Sequence, residues 1–172
     1  MATYVVVDVE SDGEIIGLHS MVCFGAVIVE NGLKKTFYGK TAPISTSYKP
    51  EALAVSGFTR EQHGEFDEPE GVMKNFAKWL TDNCKGKPVL ISDNNGYDAS
   101  WINWYFHTFT GANPFGWSSR RIGDLFCGFY NNMFYNWKQH RKTRHTHNPV
   151  DDAKGNAEAL LYLKEQGFKL FK

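Results

Sequence analysis

The sequence predicts an α/β fold in which a mixed β-sheet carries helices on both of its faces. Three β-rich segments follow one another within the first 40 residues, and a short apolar segment then alternates with helical patterns. Strands joined by tight turns pair antiparallel, whereas strands joined through helices pair parallel, so one sheet should contain both. With 42% hydrophobic and 15% aromatic residues, the chain is expected to form one packed domain over residues 1–172.

The strands are predicted from β-branched residues and turn signals. The segment TYVVVDVE at residues 3–10 is typical of a central strand, and SMVCFGAVIVENG at residues 20–32 leads into an Asn-Gly turn. LKKTFYGK at residues 33–40 is expected to pair back on the second segment, and KPVLIS at residues 87–92 indicates a short buried strand.

Four helices are predicted from apolar residues at helical spacing. The first follows Pro69, the second spans about residues 97–109, and the third spans about residues 124–137. The fourth begins at Asn148, whose side chain can cap it, with Pro149 at its first position. Most of the large side chains of the third helix are expected in the core: Phe126, Phe129, Tyr130, Met133, Phe134 and Trp137.

Charge and cysteine content exclude several classes of protein. Nineteen Lys and Arg balance nineteen Asp and Glu, so the chain has no global basic signature, although a local basic patch remains compatible with nucleic-acid binding. The three cysteines, without a CxxC pair, argue against a disulfide framework or a structural zinc site and favour a cytoplasmic compartment. No apolar run approaches membrane-spanning length, so no membrane partner is expected.

Carboxylates stand where predicted elements begin or end. Asp8 and Glu10 are two residues apart at the end of the first strand and therefore share one face of the sheet. Asp98 follows the turn after the fourth strand, and Asp152 lies in the first turn of the last helix. Four converging carboxylates repel one another unless cations are present, and Mg²⁺ or Mn²⁺ prefer such oxygen ligands. Two such ions and a nearby histidine could hydrolyse a phosphodiester.

Three motifs carry a resemblance to a known family. DVESDG at residues 8–13, DNNGYD at 93–98 and HNPVDDA at 147–153 occur in order and at suitable spacing. FGAVIVENG, ALAVSGFT and RIGDLF extend the similarity over most of the chain. The sequence thus resembles the DnaQ-like 3′–5′ exonucleases of the DEDDh type, which include RNase T, oligoribonuclease and the proofreading subunits of DNA polymerases. Asp93 and Ser56 stand where that family usually has histidine.

The resemblance implies an RNase H-like fold with a central mixed five-stranded sheet. It implies Asp8, Glu10, Asp98 and Asp152 as ligands of two Mg²⁺ or Mn²⁺ ions, and His147 as the catalytic base on a segment free to swing over the scissile phosphate. A rival pairing of His145 with Asp151 has one more intervening residue, and Ala153 matches the motif only when Asp152 is the ligand.

Substrate contacts are expected from three groups of residues. The first and second motifs contribute Ser11, Asp12 and Asn94. The segment before the third motif is either an ordinary solvated loop or a phosphate-binding strip that includes Arg141, Lys142 and Arg144. Phe115 and Trp117 lie in a Gly- and Pro-rich loop and could stack on an unpaired base.

The predicted function is a standalone, metal-dependent 3′–5′ exonuclease that releases nucleoside 5′-monophosphates from single-stranded ends. DNA is favoured as the substrate, and an exoribonuclease or oligonucleotide-trimming enzyme is the alternative. A non-catalytic nucleic-acid- or partner-binding module on the same fold is an alternative of another class. No polymerase-binding tail is expected after the last helix, and a homodimer is compatible with the sequence.

Overall fold

The computed structural model describes residues 2–170, which build a five-stranded sheet of order β3-β2-β1-β4-β5. β1 pairs antiparallel with β2, and β2 with β3, whereas the pairs β1–β4 and β4–β5 are parallel. The mixed sheet and the central place of β1 are therefore confirmed. The strands are β1 Thr3–Ser11, β2 Met21–Ile28, β3 Thr36–Lys40, β4 Pro88–Ser92 and β5 Ser119–Arg121.

Within the described residues, six α-helices flank the sheet, and each of the four segments predicted to be helical contains one. They are α1 Pro50–Val55, α2 Arg60–Gly64, α3 Pro69–Asn83, α4 Asp98–Thr110, α5 Ile122–Tyr130 and α6 Pro149–Glu165, with a 3₁₀ turn at Trp137–His140. The core on one face combines β1 side chains with α3 and α4, and the core on the other face involves α5 and α6. No helix among residues 2–170 is long and apolar enough to cross a bilayer.

The alternation of side chains along β1 decides which helices its acids meet. Val5, Val7 and Val9 pack into the core that contains α3 and α4, whereas Val6 packs into the core that contains α6. Because side chains two residues apart share a face, Asp8 and Glu10 lie on the α6 side of the sheet.

The third predicted helix is wrong beyond Tyr130. Asn131 adopts a left-handed conformation with φ of 50°, which ends α5. Phe126 and Trp137 are buried as expected, but Met133 and Phe134 are 80% and 95% exposed and do not reach the core. The helical spacing of the aromatic residues therefore continues through a segment that is not a helix.

Helix α6 begins as predicted and approaches the sheet very closely. The Asn148 side chain accepts hydrogen bonds from the backbone N–H groups of Val150 (3.0 Å) and Asp151 (3.4 Å). Gly25 of β2 lies opposite Asp8 in the sheet register, and a Cβ at Gly25 would overlap the backbone of Pro149 and Val150. The first turn of α6 thus rests on the sheet backbone beside Asp8.

Candidate active site

Four carboxylates from three elements meet at the carboxyl end of β1. One oxygen each of Asp8, Glu10 and Asp152 lies within 4.8 Å of the others. Asp98, the first residue of α4, accepts hydrogen bonds from the backbone N–H groups of Val9 (3.2 Å) and Asn94 (3.1 Å), which hold its carboxylate beside β1. The structure therefore brings together the four acids singled out in the sequence.

The electrostatics of this acid cluster favour cation binding. Burial raises the pKa of Asp8 well above its ordinary value, and the charges of Asp98, Glu10 and Asp152 raise it further. Burial, followed by repulsion from Asp152 and Asp98, raises the pKa of Glu10 to about 7. Burial also raises the pKa of Asp98 to about 7, although hydrogen bonds from the backbone of Asn94 and Val9 oppose it. A set of crowded carboxylate oxygens suits hard divalent cations.

Arg141 is seated against Asp152 and is not part of an open basic strip. Its Nη2 donates to Oδ1 of Asp152 at 2.9 Å, and its side chain is 10% exposed. The guanidinium occupies the space left by Gly155, where a Cβ would lie 2.6 Å from the Arg141 Nε. The expectation of a solvated Arg141 is therefore wrong, but its side chain still lines the cleft described below, and its contact with phosphate stays a prediction.

The chain before α6, residues 137–147, forms a strap along one face of that helix. The Glu158 carboxylate accepts hydrogen bonds from the backbone N–H groups of Lys142 and Thr143, both at 2.7 Å, and from Oγ1 of Thr143 at 3.0 Å. The His140 ring stacks on Tyr162 with centroids 3.7 Å apart. Glu158 and Tyr162 are four residues apart and therefore share one face of α6. The strap is therefore held along its length and is not free to swing as expected.

Both histidines at the end of the strap lie beside the acid cluster. His147 donates its backbone N–H to Oδ2 of Asp152 (2.9 Å), and its half-exposed ring places Nδ1 3.6 Å from Oε1 of Glu10. His145 places Nδ1 2.9 Å from Oδ1 of Asp152. Asp151 is not in the cluster and only accepts a hydrogen bond from Oγ1 of Thr146 at 3.4 Å. This geometry favours Asp152 over Asp151 in the third motif.

A cleft of about 360 Å³ opens between the strap and the end of β4. Asp8 and Asp93 line one side and the strap lines the other, where Lys138 forms a 2.8 Å ion pair with Asp93. Lys142 and Arg144 line the cleft and remain exposed. Asn156 of α6 also lines it, and its buried Oδ1 has no hydrogen-bond partner. The cleft thus has positively charged side chains and an unpaired amide oxygen next to the acids.

The two aromatic candidates are misplaced for base stacking at this site. Phe115 is only 2% exposed and packs against Phe76 and Phe106 in the core, so it cannot stack on a base. Trp117 is 85% exposed and stacks on His107, but it precedes β5. Because β5 and β4 run parallel to β1, Trp117 lies at the edge of the sheet opposite the acids.

The two residues that follow Glu10, Ser11 and Asp12, form hydrogen bonds to other parts of the fold. Asp12 is fully buried, with Oδ1 accepting the backbone N–H of Ser20 (2.5 Å) and Oδ2 accepting the Arg60 guanidinium (2.7 Å). Ser11 is 4% exposed and lies 2.5 Å from the Tyr97 hydroxyl. These contacts correct the expectation that the side chains of Asp12 and Ser11 contact substrate.

Asn94 remains available to substrate, because it is exposed in the turn before α4 and only its backbone holds Asp98. The sequence reasoning missed Tyr97 and Glu158. Tyr97 directly precedes Asp98 in the second motif, which is a usable signal, whereas nothing in the local sequence distinguishes Glu158 from a solvated helix acid.

A mixed sheet with α-helices on both faces and four acids on its central strand and adjoining helix ends suits a metal-dependent nuclease of the RNase H-like class. The chain is 34% identical over 128 residues to the 3′-5′ DNA exonuclease Cap18 of Escherichia coli, a match that covers 73% of this chain and 68% of that protein. It belongs to the DEDDh-type, DnaQ-like 3′–5′ exonucleases and is itself a 3′–5′ exonuclease acting on nucleic acids.

Solved structures share this fold at low sequence identity. The nuclease domain of 3′hExo, a DEDDh family member bound to rAMP, matches with a TM-score of 0.79 and 17% identity, over 98% of this chain and 94% of that chain. The zinc-bound complex of E. coli ExoI with single-stranded DNA matches with a TM-score of 0.73 and 18% identity, over 99% of this chain and 42% of that chain. No protein-family model matches the chain.

Proposed function

We propose that this exonuclease removes nucleotides from the 3′ ends of single-stranded DNA and releases nucleoside 5′-monophosphates. The observation that carries the proposal is the convergence of Asp8, Glu10 and Asp152 within 4.8 Å, with Asp98 held beside them. Burial and then the charges of the neighbouring acids raise the pKa of Asp8, and bound cations would offset both effects.

The four acids would hold two divalent ions, Mg²⁺ or Mn²⁺. When bound, such ions activate water and offset the charge that develops on the phosphate. The protein contributes a preset arrangement of ligands. Arg141 and two backbone N–H groups of the strap fix Asp152, and the backbone N–H groups of Val9 and Asn94 fix Asp98.

His147 would act as the general base. Its ring is half exposed and lies beside Glu10, so an attacking water near the acids is within reach of a ring nitrogen. The backbone hydrogen bond to Asp152 and the attachment of the strap to α6 restrict the ring to side-chain rotations. His147 would therefore take the proton from water without a loop closure.

The substrate strand would approach along the cleft beside the strap. Lys142 and Arg144 offer exposed charges for phosphates, and Asn94 offers an exposed amide next to Asp93. DNA is favoured because the 34% identical relative is a DNA exonuclease, and single strands are favoured by the ExoI complex. The rAMP bound to 3′hExo supports RNA as the second candidate substrate.

Matched DNA and RNA oligomers labelled at the 5′ end test this proposal. With Mg²⁺, single-stranded DNA should give a descending ladder faster than RNA, and a blocked 3′ end should resist digestion. EDTA and the Asp98→Asn variant should each abolish the ladder, since both remove the proposed ion binding. Early release of the label as a mononucleotide would contradict the polarity, full activity after chelation would contradict the metal requirement, and faster digestion of RNA would overturn the DNA preference.

A further inference from the structure

A second donor set lies on the solvent side of the acid cluster. One ring nitrogen each of His145 and His147 and one oxygen of Asp152 all lie within 4.8 Å of one another. The rings are about half exposed, at 55% and 49% of their side-chain surface, whereas Asp152 is buried at 1%. The set therefore has a fixed buried anion and two accessible imidazoles.

The backbone of the strap builds this arrangement. The N–H groups of Thr146 and His147 both donate to Asp152, at 3.1 and 2.9 Å, so the chain wraps around the carboxylate. His147 has a φ of 61°, a conformation uncommon for residues other than glycine, and the two imidazole centroids are 4.3 Å apart. The backbone thus places the His147 ring beside Asp152, and the His145 ring contacts Oδ1 of the same carboxylate directly at 2.9 Å.

The donor chemistry separates this set from the four acids. Mg²⁺ and Mn²⁺ prefer all-oxygen sites, whereas Zn²⁺ is bound by imidazole nitrogen and carboxylate oxygen at about 2.0–2.2 Å. Four-coordinate ligands at that distance are about 3.4 Å from one another, so the three donor atoms need small adjustments only. The exposed side of the two rings leaves room for a fourth ligand such as water.

We propose that His145, His147 and Asp152 form a Zn²⁺ site that inhibits the enzyme. Zn²⁺ held there would occupy Asp152, which the catalytic ions need, and would restrain His147, so it would exclude turnover. The inhibitory consequence rests on the function proposed above, whereas the binding site itself does not. Arg141 would remain on the inner side of Asp152 and keep its carboxylate in place.

Metal binding to the tag-free, metal-depleted protein tests the site directly. Zn²⁺ affinity is measured by calorimetry, and Co²⁺ serves as a visible-absorption probe for nitrogen-containing low-coordinate sites. His145→Gln should weaken Zn²⁺ binding by at least about tenfold, because even outer partners of metal ligands contribute about that much. His107→Gln, which removes an imidazole at the opposite edge, should retain the wild-type affinity. Equal Zn²⁺ affinity of His145→Gln and wild type would overturn the proposal.

Inhibition is measured by adding Zn²⁺ to the Mg²⁺-supported reaction. His145→Gln should hydrolyse DNA at close to the wild-type rate without Zn²⁺ and should need at least about tenfold more Zn²⁺ for half inhibition. Inhibition of wild type and His145→Gln at the same Zn²⁺ concentration would place the ion among the four acids and refute the inference. If the chain hydrolyses no oligomer, the proposed function fails, while the binding measurement still decides the Zn²⁺ site.

Discussion

Replacing Glu10 with glutamine is expected to stabilise the metal-free protein at pH 8 but not at pH 4.5. In the fold, burial and then the charges of Asp152 and Asp98 raise the pKa of Glu10 from 4.5 to about 7. A carboxyl with a raised pKa binds more protons in the folded than in the unfolded chain, so the free energy of unfolding falls as the pH rises through this window. At about 1.4 kcal/mol per pH unit, the loss is about 3 kcal/mol. Solvation of the partly exposed side chain reduces the expected gain of Glu10→Gln to about 1–3 kcal/mol.

Urea denaturation in EDTA measures this difference. Glu10→Gln should unfold at a higher urea concentration than wild type at pH 8 and at nearly the same concentration at pH 4.5, and the exposed control Glu65→Gln should differ at neither pH. Saturating Mg²⁺ should reverse the order at pH 8, because only the wild type has the complete set of acids to bind the ion and gain its binding free energy. A gain of equal size at both pH values, or a loss at pH 8 in EDTA, would refute the raised pKa of Glu10.

Three further predictions concern the strap and its histidines. His147→Ala should lower kcat by roughly 10²- to 10⁴-fold in single-turnover assays, while His107→Ala, at the opposite edge of the sheet, should retain most activity; the reverse order would contradict the base assignment. Replacing Lys142 and Arg144 with alanine should weaken DNA binding and reduce its salt slope by up to about one per lost phosphate contact, and an unchanged slope would identify them as solvated side chains. Glu158→Gln should speed hydrogen exchange at the strap amides and lower kcat more than it raises KM; unaltered exchange would show that this carboxylate does not hold the strap.

The acids could be found from the sequence because each lies at the end of an element with a strong local signal. The two-residue spacing of Asp8 and Glu10 fixes their common face in any strand. The Asn148 cap and Pro149 fix the start of α6, and with it the place of Asp152 in the first turn. Local rules of this kind do not depend on the rest of the fold.

Apart from the early end of α5 at Asn131, the failures concern contacts between distant segments. The three residues of β5, Ser-Arg-Arg, have no apolar pattern and become a strand only because β4 offers an edge. The charge of Arg141 looks solvated in sequence, and only the space beside Gly155 reveals its buried seat. The prediction for Phe115 failed for the same reason. Its Gly- and Pro-rich surroundings suggest exposure, but the core of α3 and α4 encloses it.

The contact at Gly25 has a consequence for how the site tolerates change. The gap between the acids on the strand and the acid on the helix is set by main chain resting on main chain. Substitutions in the later turns of α6 can alter the packing of the core, while the spacing at its first turn stays fixed. The distance between the strand acids and the helix acid is therefore insensitive to substitutions in the surrounding core. Substitution of Gly25 itself is the exception, because one added methyl group there would push the helix away from the sheet beside Asp8.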